Sequence, residues 1–190
     1  MMLKRIIPTL SAKEFFYLSN QLSLFRIVLT IPLAFALISK NLPIITILLI
    51  IGLSTDALDG YVARKKNQIT ELGKILDPLA DKIIIGVNLI VLIKYYGFPI
   101  GLAVIILGRD ILILIGSLFI SRKIKEVLPS NFTGKITVNL IALDIICYIY
   151  GFLSVTPVLN IVVVFFVIVS LIHYGIIFYQ YQKIESEESI

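Results

Sequence analysis

Four aspartates, Asp56, Asp59, Asp77 and Asp81, lie within the stretch "STDALDGYVARKKNQITELGKILDPLADK". The first two are three residues apart and the second two are four apart, so on helices each pair shares a face. Gly60 follows Asp56 by four, Ala63 follows Asp59 by four, and Gly73 precedes Asp77 by four. Such small residues let helices approach closely and leave room for a ligand against the backbone. Clustered carboxylates in a low-dielectric setting cannot all stay ionised without compensation. Arg64, Lys74 and Lys82 offset part of that charge. Divalent cations offset more, and an all-oxygen donor set favours Mg²⁺, Mn²⁺ or Ca²⁺ over zinc. Two carboxylates on each of two helices suit a pair of ions, and a pair of ions suits chemistry at a phosphate. The plainer alternative is that these aspartates cap helices or pair with lysines. Asp77 before Pro78, in particular, reads as an N-cap followed by proline at the first helical position.

The elements that must position these acids are membrane helices. Of 190 residues 58% are hydrophobic, and the mean hydropathy is +1.01, which excludes an ordinary soluble domain. A spanning helix needs roughly 20 mostly apolar residues. The pattern gives an all-α polytopic membrane protein with six transmembrane helices, at about 21–39, 43–64, 75–96, 99–121, 136–155 and 157–179. Pro43, Gly97-Phe98-Pro99 and Thr156-Pro157 punctuate the tight turns. Residues 1–20 form an N-terminal interfacial segment in which "SAKEFFYLSN" suits a short amphipathic helix. Residues 21–182 form the six-helix domain, and 183–190 a solvated, frayed tail. The start has no signal-peptide pattern, because Pro8, Lys13 and Glu14 interrupt it. Cys147, the single cysteine, sits in an apolar run and forms neither an internal disulfide nor a thiolate cluster.

The net charge of +5 does not indicate nucleic acid, since the basic residues gather at the ends of apolar runs. Lys4, Arg5, Lys13, Arg64, Lys65, Lys66, Lys74, Arg122, Lys123, Lys125, Lys135 and Lys183 fall on one side; Lys40 and Lys94 fall on the other. The positive-inside rule then places both termini and the four aspartates on the cytoplasmic side of the membrane.

The stretch has the form Asp56-x2-Asp59-Gly60-x2-Ala63-Arg64-x8-Gly73-x3-Asp77-x3-Asp81, which resembles the signature of the CDP-alcohol phosphatidyltransferase family at all eight fixed positions. "NQLSLFRIVLTIP", residues 20–32, resembles the usual first span of that family. The resemblance implies transfer of a phosphatidyl group from CDP-diacylglycerol to an alcohol, with release of CMP. It implies two Mg²⁺ or Mn²⁺ ions on Asp56, Asp59, Asp77 and Asp81, with Asp81 also taking the proton of the attacking hydroxyl. It assigns Asn20, Ser23, Gly60, Arg64, Thr70 and Gly73 to the CDP-lipid. It further implies a homodimer in a bacterial inner membrane, in contact with membrane lipid. For Arg26 a role in the site and simple snorkelling to the interface stand as equal readings.

The acceptor rests on the fourth span. Arg109 and Asp110 lie inside "AVIILGRDILILIG", and Lys135 begins the fifth span. Intramembrane charges are functional candidates, with a mutual ion pair and an interfacial anchor as the plainer alternatives. Arg109 and Lys135 together suit a phosphate on the acceptor. The branch of the family that uses glycerol 3-phosphate resembles the chain most broadly, notably over "ARKKNQITELGKILDPLADK". That branch usually carries Arg-Glu in the fourth span and a second arginine eight residues on; here stand Arg109-Asp110 and Ser117. "GRD" is closer to the cardiolipin synthases, whose acceptor is phosphatidylglycerol, so a phospholipid acceptor is the alternative to a small polar alcohol. Asp144 suits either a helix–helix hydrogen bond or the acceptor pocket, and His173 an interfacial position. From other classes, a small ion transporter also uses intramembrane carboxylates. It predicts broken helices at mid-bilayer and an internal repeat, and the chain shows no repeat. A non-enzymatic scaffold has no need of four ordered acids.

Overall fold

The computed structural model describes residues 17–65, 71–124 and 132–188. Within them, the side chains of 18, 19, 56, 59–65, 71–79, 81, 117–124 and 181–188 lie outside the description. The described chain is helical, with no strand: α1 Leu18–Ile38, α2 Leu42–Lys65, α3 Glu71–Tyr96, α4 Ile100–Ile124, α5 Phe132–Tyr150 and α6 Thr156–Glu188. Among the described residues, three helical segments are long and apolar enough to cross a membrane, Asn20–Ile38, Phe132–Tyr150 and Thr156–Gln180; Leu42–Thr55 is a shorter apolar helix. The chain divides into two compact units, Met1–Tyr95 and Tyr96–Ile190.

In the first unit α1 and α2 form a helical hairpin. Its turn is closed by local chemistry. Lys40 adopts φ 53°, the left-handed conformation that ends a helix. Its N–H donates to the Leu37 carbonyl at 3.1 Å, and the Asn41 N–H donates to the Ala36 carbonyl at 3.1 Å. Two of the orphaned carbonyls of α1 are thereby satisfied. Asn41 then caps α2, its Oδ1 accepting the Ile44 N–H at 3.3 Å, and Pro43 occupies the first turn of α2, where a missing N–H costs nothing. Leu29 Cδ2 stands 3.7 Å from where a Cβ on Gly52 would lie, so the two helices approach closely there.

The second unit is built on α6, which packs against both α4 and α5. The α5 terminus repeats the device of α1, with glycine in the left-handed position. Gly151 has φ 77°, and Phe152 N–H donates to the Cys147 carbonyl at 2.9 Å. Phe98 packs edge-on against Tyr148, ring centroids 4.9 Å apart.

The helices are inverted relative to a soluble protein. On α1 the buried face carries Asn20, Ser23, Arg26 and Thr30, continued by Leu33 and Leu37; the exposed face carries Phe25, Val28, Ile31 and Phe35. On α6 Val163, Val167 and Ser170 are buried while Ile161, Phe165, Ile168 and Ile172 are exposed. Polar groups inward and large apolar groups outward is the arrangement expected when the surrounding solvent is hydrocarbon.

Three expectations change. α3 begins at Glu71, so Asp77 lies inside the helix and is not its N-cap. Pro78 therefore interrupts the ladder by one hydrogen bond. Glu71, Leu72, Lys74 and Leu76, all strong helix formers, carry the helix upstream of it. α5 starts at Phe132, upstream of the expected boundary near 136, and takes in "FTGK". α6 runs on to Glu188, so most of the expected tail is helical. The interfacial helix expected in residues 1–20 falls mainly outside the described residues. Cys147 is buried, as its apolar surroundings suggest.

Candidate active site

The eight signature positions fall on two consecutive helices. Asp56, Asp59, Gly60, Ala63 and Arg64 lie on the C-terminal half of α2; Gly73, Asp77 and Asp81 lie on the N-terminal half of α3. Both stretches have helical backbone, so the i,i+3 and i,i+4 spacings do put each aspartate pair on one helix face. The side chains of these residues, and all of Thr70, lie outside the described residues. Among the described residues no group of three or more His, Cys, Asp and Glu converges as a metal site.

Asn20 and Ser23 are described, and both are fully buried on the inward face of α1. Their spacing of three residues stacks them on one helix face, with Arg26 and Thr30 continuing the stripe. Thr30 spends its hydroxyl on the Arg26 carbonyl at 3.0 Å. A stripe of this kind, enclosed in an otherwise apolar helix, is a surface for a polar ligand or a polar neighbour.

In the second unit Arg109 and Asp110 are both buried, at 6% and 7% exposure, and they pair directly with Nη1 to Oδ1 at 2.7 Å. The mutual ion pair weighed from the sequence is therefore present. Adjacent residues on a helix diverge by about 100°, and the long arginine stem closes that gap. The second contact was not anticipated: Arg109 Nη2 donates to the Ser170 hydroxyl at 2.9 Å, across from α4 to α6. Ser170 is fully buried. Its only trace in the sequence is a lone serine in the apolar run "FFVIVSLIHYG". Lys135 lies on the first turn of α5 and is exposed. Arg109 and Lys135 thus sit on the two helices that flank α6.

Next along the same α4–α6 groove is an apolar hollow of about 300 Å³ bordered by Leu112, Gly116, Leu171, Tyr174 and Gly175. Glycines at two of these positions keep it open. His173, one turn beyond Ser170, is half-buried, with Nδ1 3.2 Å from the Thr133 hydroxyl at the start of α5.

Asp144, fully buried in α5, is explained by α6. With the Asn160 amide oriented so that each atom meets a complementary partner, Nδ2 donates to both Asp144 oxygens at 3.2 and 3.1 Å and Oδ1 accepts from the Tyr148 hydroxyl at 3.0 Å. The helix–helix hydrogen bond is the alternative that holds here.

A family model described as CDP-alcohol phosphatidyltransferase matches residues 16–173 of the chain. Among curated relatives, a CDP-diacylglycerol–glycerol-3-phosphate 3-phosphatidyltransferase of Aquifex aeolicus is 33% identical over 164 residues, covering 82% of this chain and 92% of its own length. Proteins of the same name from Mycoplasma pneumoniae and Bacillus subtilis are 37% and 40% identical, over 67% and 47% of this chain. The matched part spans about half of those two relatives, 57% and 46% of their lengths.

Proposed function

The chain belongs to the CDP-alcohol phosphatidyltransferase family, and from that premise we propose that it transfers a phosphatidyl group from CDP-diacylglycerol to glycerol 3-phosphate, releasing CMP. The observation that carries the reading is the set of eight signature residues, in order, on the C-terminal half of α2 and the N-terminal half of α3. The choice of acceptor draws on the relatives, whose names specify glycerol 3-phosphate.

The donor set fits a pair of Mg²⁺ or Mn²⁺ ions: oxygen ligands only, two on each helix, each pair on one face. Asp56, Asp59, Asp77 and Asp81 would hold them. When bound, the ions supply charge neutralisation at the diphosphate. The remaining work belongs to the protein. Asp81 accepts the proton of the acceptor hydroxyl. The freed oxygen forms a bond to the phosphatidyl phosphorus, and the bond from that phosphorus to the bridging oxygen of CMP breaks, the electron pair leaving with CMP. Gly60 and Gly73 let the diphosphate approach the backbone, and Arg64 and Thr70 contact its oxygens. Asn20 and Ser23, enclosed on α1, line the cytidine end. Arg109 and Lys135 hold the acceptor phosphate.

The same reading has α1–α6 all crossing the bilayer as one domain over residues 21–182, in a bacterial inner membrane. Both termini and the site face the cytoplasm, where water-soluble acceptors arrive, and acyl chains stay in the lipid. The enzyme is a homodimer. Cysteine introduced at Lys40 or Lys94 in a Cys147→Ser background should react with an impermeant thiol reagent from outside, and cysteine at Lys65 or Lys123 should not. The activity is tested with purified protein, CDP-diacylglycerol and a panel of alcohols in detergent, the lipid product being identified by mass. Phosphatidylglycerophosphate is expected. Cardiolipin from phosphatidylglycerol, with no turnover of glycerol 3-phosphate, would replace the acceptor and leave the transfer chemistry standing.

A further inference from the structure

The Arg109 guanidinium is fixed at two points by two helices. Asp110 on α4 takes Nη1 at 2.7 Å, and Ser170 on α6 takes Nη2 at 2.9 Å. Two contacts from different directions define the plane of a planar group, and the plane decides where its other donors point. The remaining vertex, Nε, is buried and has no hydrogen-bond partner. A buried donor left unmet costs about 1–3 kcal/mol, and at 6% exposure Arg109 is shielded from bulk solvent. Such a group marks a place where an acceptor belongs. Asp110 offsets the charge of Arg109, so the guanidinium offers a ligand direction more than net attraction.

We propose that Ser170 is a positioning residue for acceptor binding: by holding Nη2 it presents the Nε edge of Arg109 to a phosphate oxygen of the acceptor. This rests on the proposed function for the identity of the ligand, though the contact geometry does not depend on it. Without the serine the guanidinium remains tethered through Asp110 alone and can rotate about that contact. Lys135, an exposed point charge, attracts the phosphate without orienting it. Ser170 thus determines how well an anionic acceptor is held and leaves the CDP-lipid untouched.

The test compares Ser170→Ala and Ser170→Thr with the unaltered protein in detergent. KM values for glycerol 3-phosphate and for CDP-diacylglycerol are measured separately, and thermal stabilisation by glycerol 3-phosphate alone is measured in parallel. Ser170→Ala removes one atom and introduces no clash, so it should fold. Its KM for glycerol 3-phosphate should rise about tenfold, the loss of one charge-assisted hydrogen bond, with the KM for CDP-diacylglycerol unchanged. Stabilisation by glycerol 3-phosphate should shrink. Ser170→Thr, which keeps the hydroxyl, should restore both to within about threefold of the unaltered protein. An unchanged acceptor KM in Ser170→Ala, or equal losses for both substrates, would overturn the positioning role. If the unaltered protein is stabilised by glycerol 3-phosphate without turning it over, the proposed reaction fails, and the variants' thermal shifts alone decide the role of Ser170. Absence of both turnover and stabilisation in the unaltered protein overturns both.

Discussion

The two halves of the chain handle buried polarity differently. In the first unit it is local: Asn20, Ser23, Arg26 and Thr30 form a stripe on α1. The aspartates are also local in sequence, Asp56 and Asp59 on one helix and Asp77 and Asp81 on the next. In the second unit, beyond the adjacent Arg109–Asp110 pair, buried polar residues find their partners on other helices. Arg109 reaches Ser170, which lies 61 residues away in sequence, and Asp144 meets Asn160 on the neighbouring helix. Local clustering concentrates like charges and so calls for cations. Cross-helix pairing neutralises polarity pairwise and so fixes helix positions. Under the proposed function, the first unit would carry the chemistry of the diphosphate and the second would hold the acceptor.

The sharpest way to break that division is at the aspartates. Asp56→Asn, Asp59→Asn and Asp77→Asn should each lower CMP release at least about a hundredfold, because each removes charge from the proposed metal site. The thermal midpoint in detergent should change little. A variant that keeps its rate would place the chemistry elsewhere.

Next in size is Arg109. Arg109→Ala should raise the acceptor KM about tenfold or more while the KM for CDP-diacylglycerol stays within about twofold. Arg109→Lys should restore only part of the loss, since a compact ammonium lacks the planar fork that reaches Asp110, Ser170 and a ligand in fixed, separate directions. An equal rise for both substrates would erase the distinction between the two units.

These predictions differ in how much of their basis was legible in the sequence. The acid pairs were legible because helical periodicity converts spacing into a shared face with no reference to any other element. The helix order was legible from apolar runs, and the turns from Pro43, Gly97 and Pro99. The α3 start was not, because a proline preceded by aspartate has the same appearance at an N-cap and inside a helix. Ser170 was not legible at all. A serine in an apolar run reads as a tolerated small residue until the arginine opposite it is known, and that pairing depends on how α4 and α6 cross. Asp144 was legible as an anomaly, its partner Asn160 was not, for the same reason. The lysine at the end of α1 is similar: positive φ at Lys40 is a property of the hairpin turn, and nothing in the residue type signals it.

Smaller effects sharpen the structural side of the contrast. Asp144→Ala takes the carboxylate from the Asn160 amide, which keeps only the Thr156 carbonyl at 3.2 Å, and should cost about 1–3 kcal/mol. For a chain of this size that is a loss of about 2–4 °C per kcal/mol in the thermal midpoint, read by circular dichroism in detergent. The KM values should be unaltered if this pair only joins α5 to α6. Smallest is Lys40→Gly, which relieves left-handed strain at the end of α1 and should stabilise by about 0.5–1 kcal/mol, with no effect on rate. A lower midpoint for that variant would mean the Lys40 side chain, not its backbone, matters at the turn.

The central claim is that the clustered aspartates act through divalent ions on a CDP-lipid. The most direct measurement is CMP release from CDP-diacylglycerol and glycerol 3-phosphate by the purified protein, first stripped with a chelator and then titrated with Mg²⁺ or Mn²⁺. The account predicts no detectable release after stripping and full recovery on adding either ion, with no recovery in Asp56→Asn. Undiminished release in the presence of excess chelator would contradict it.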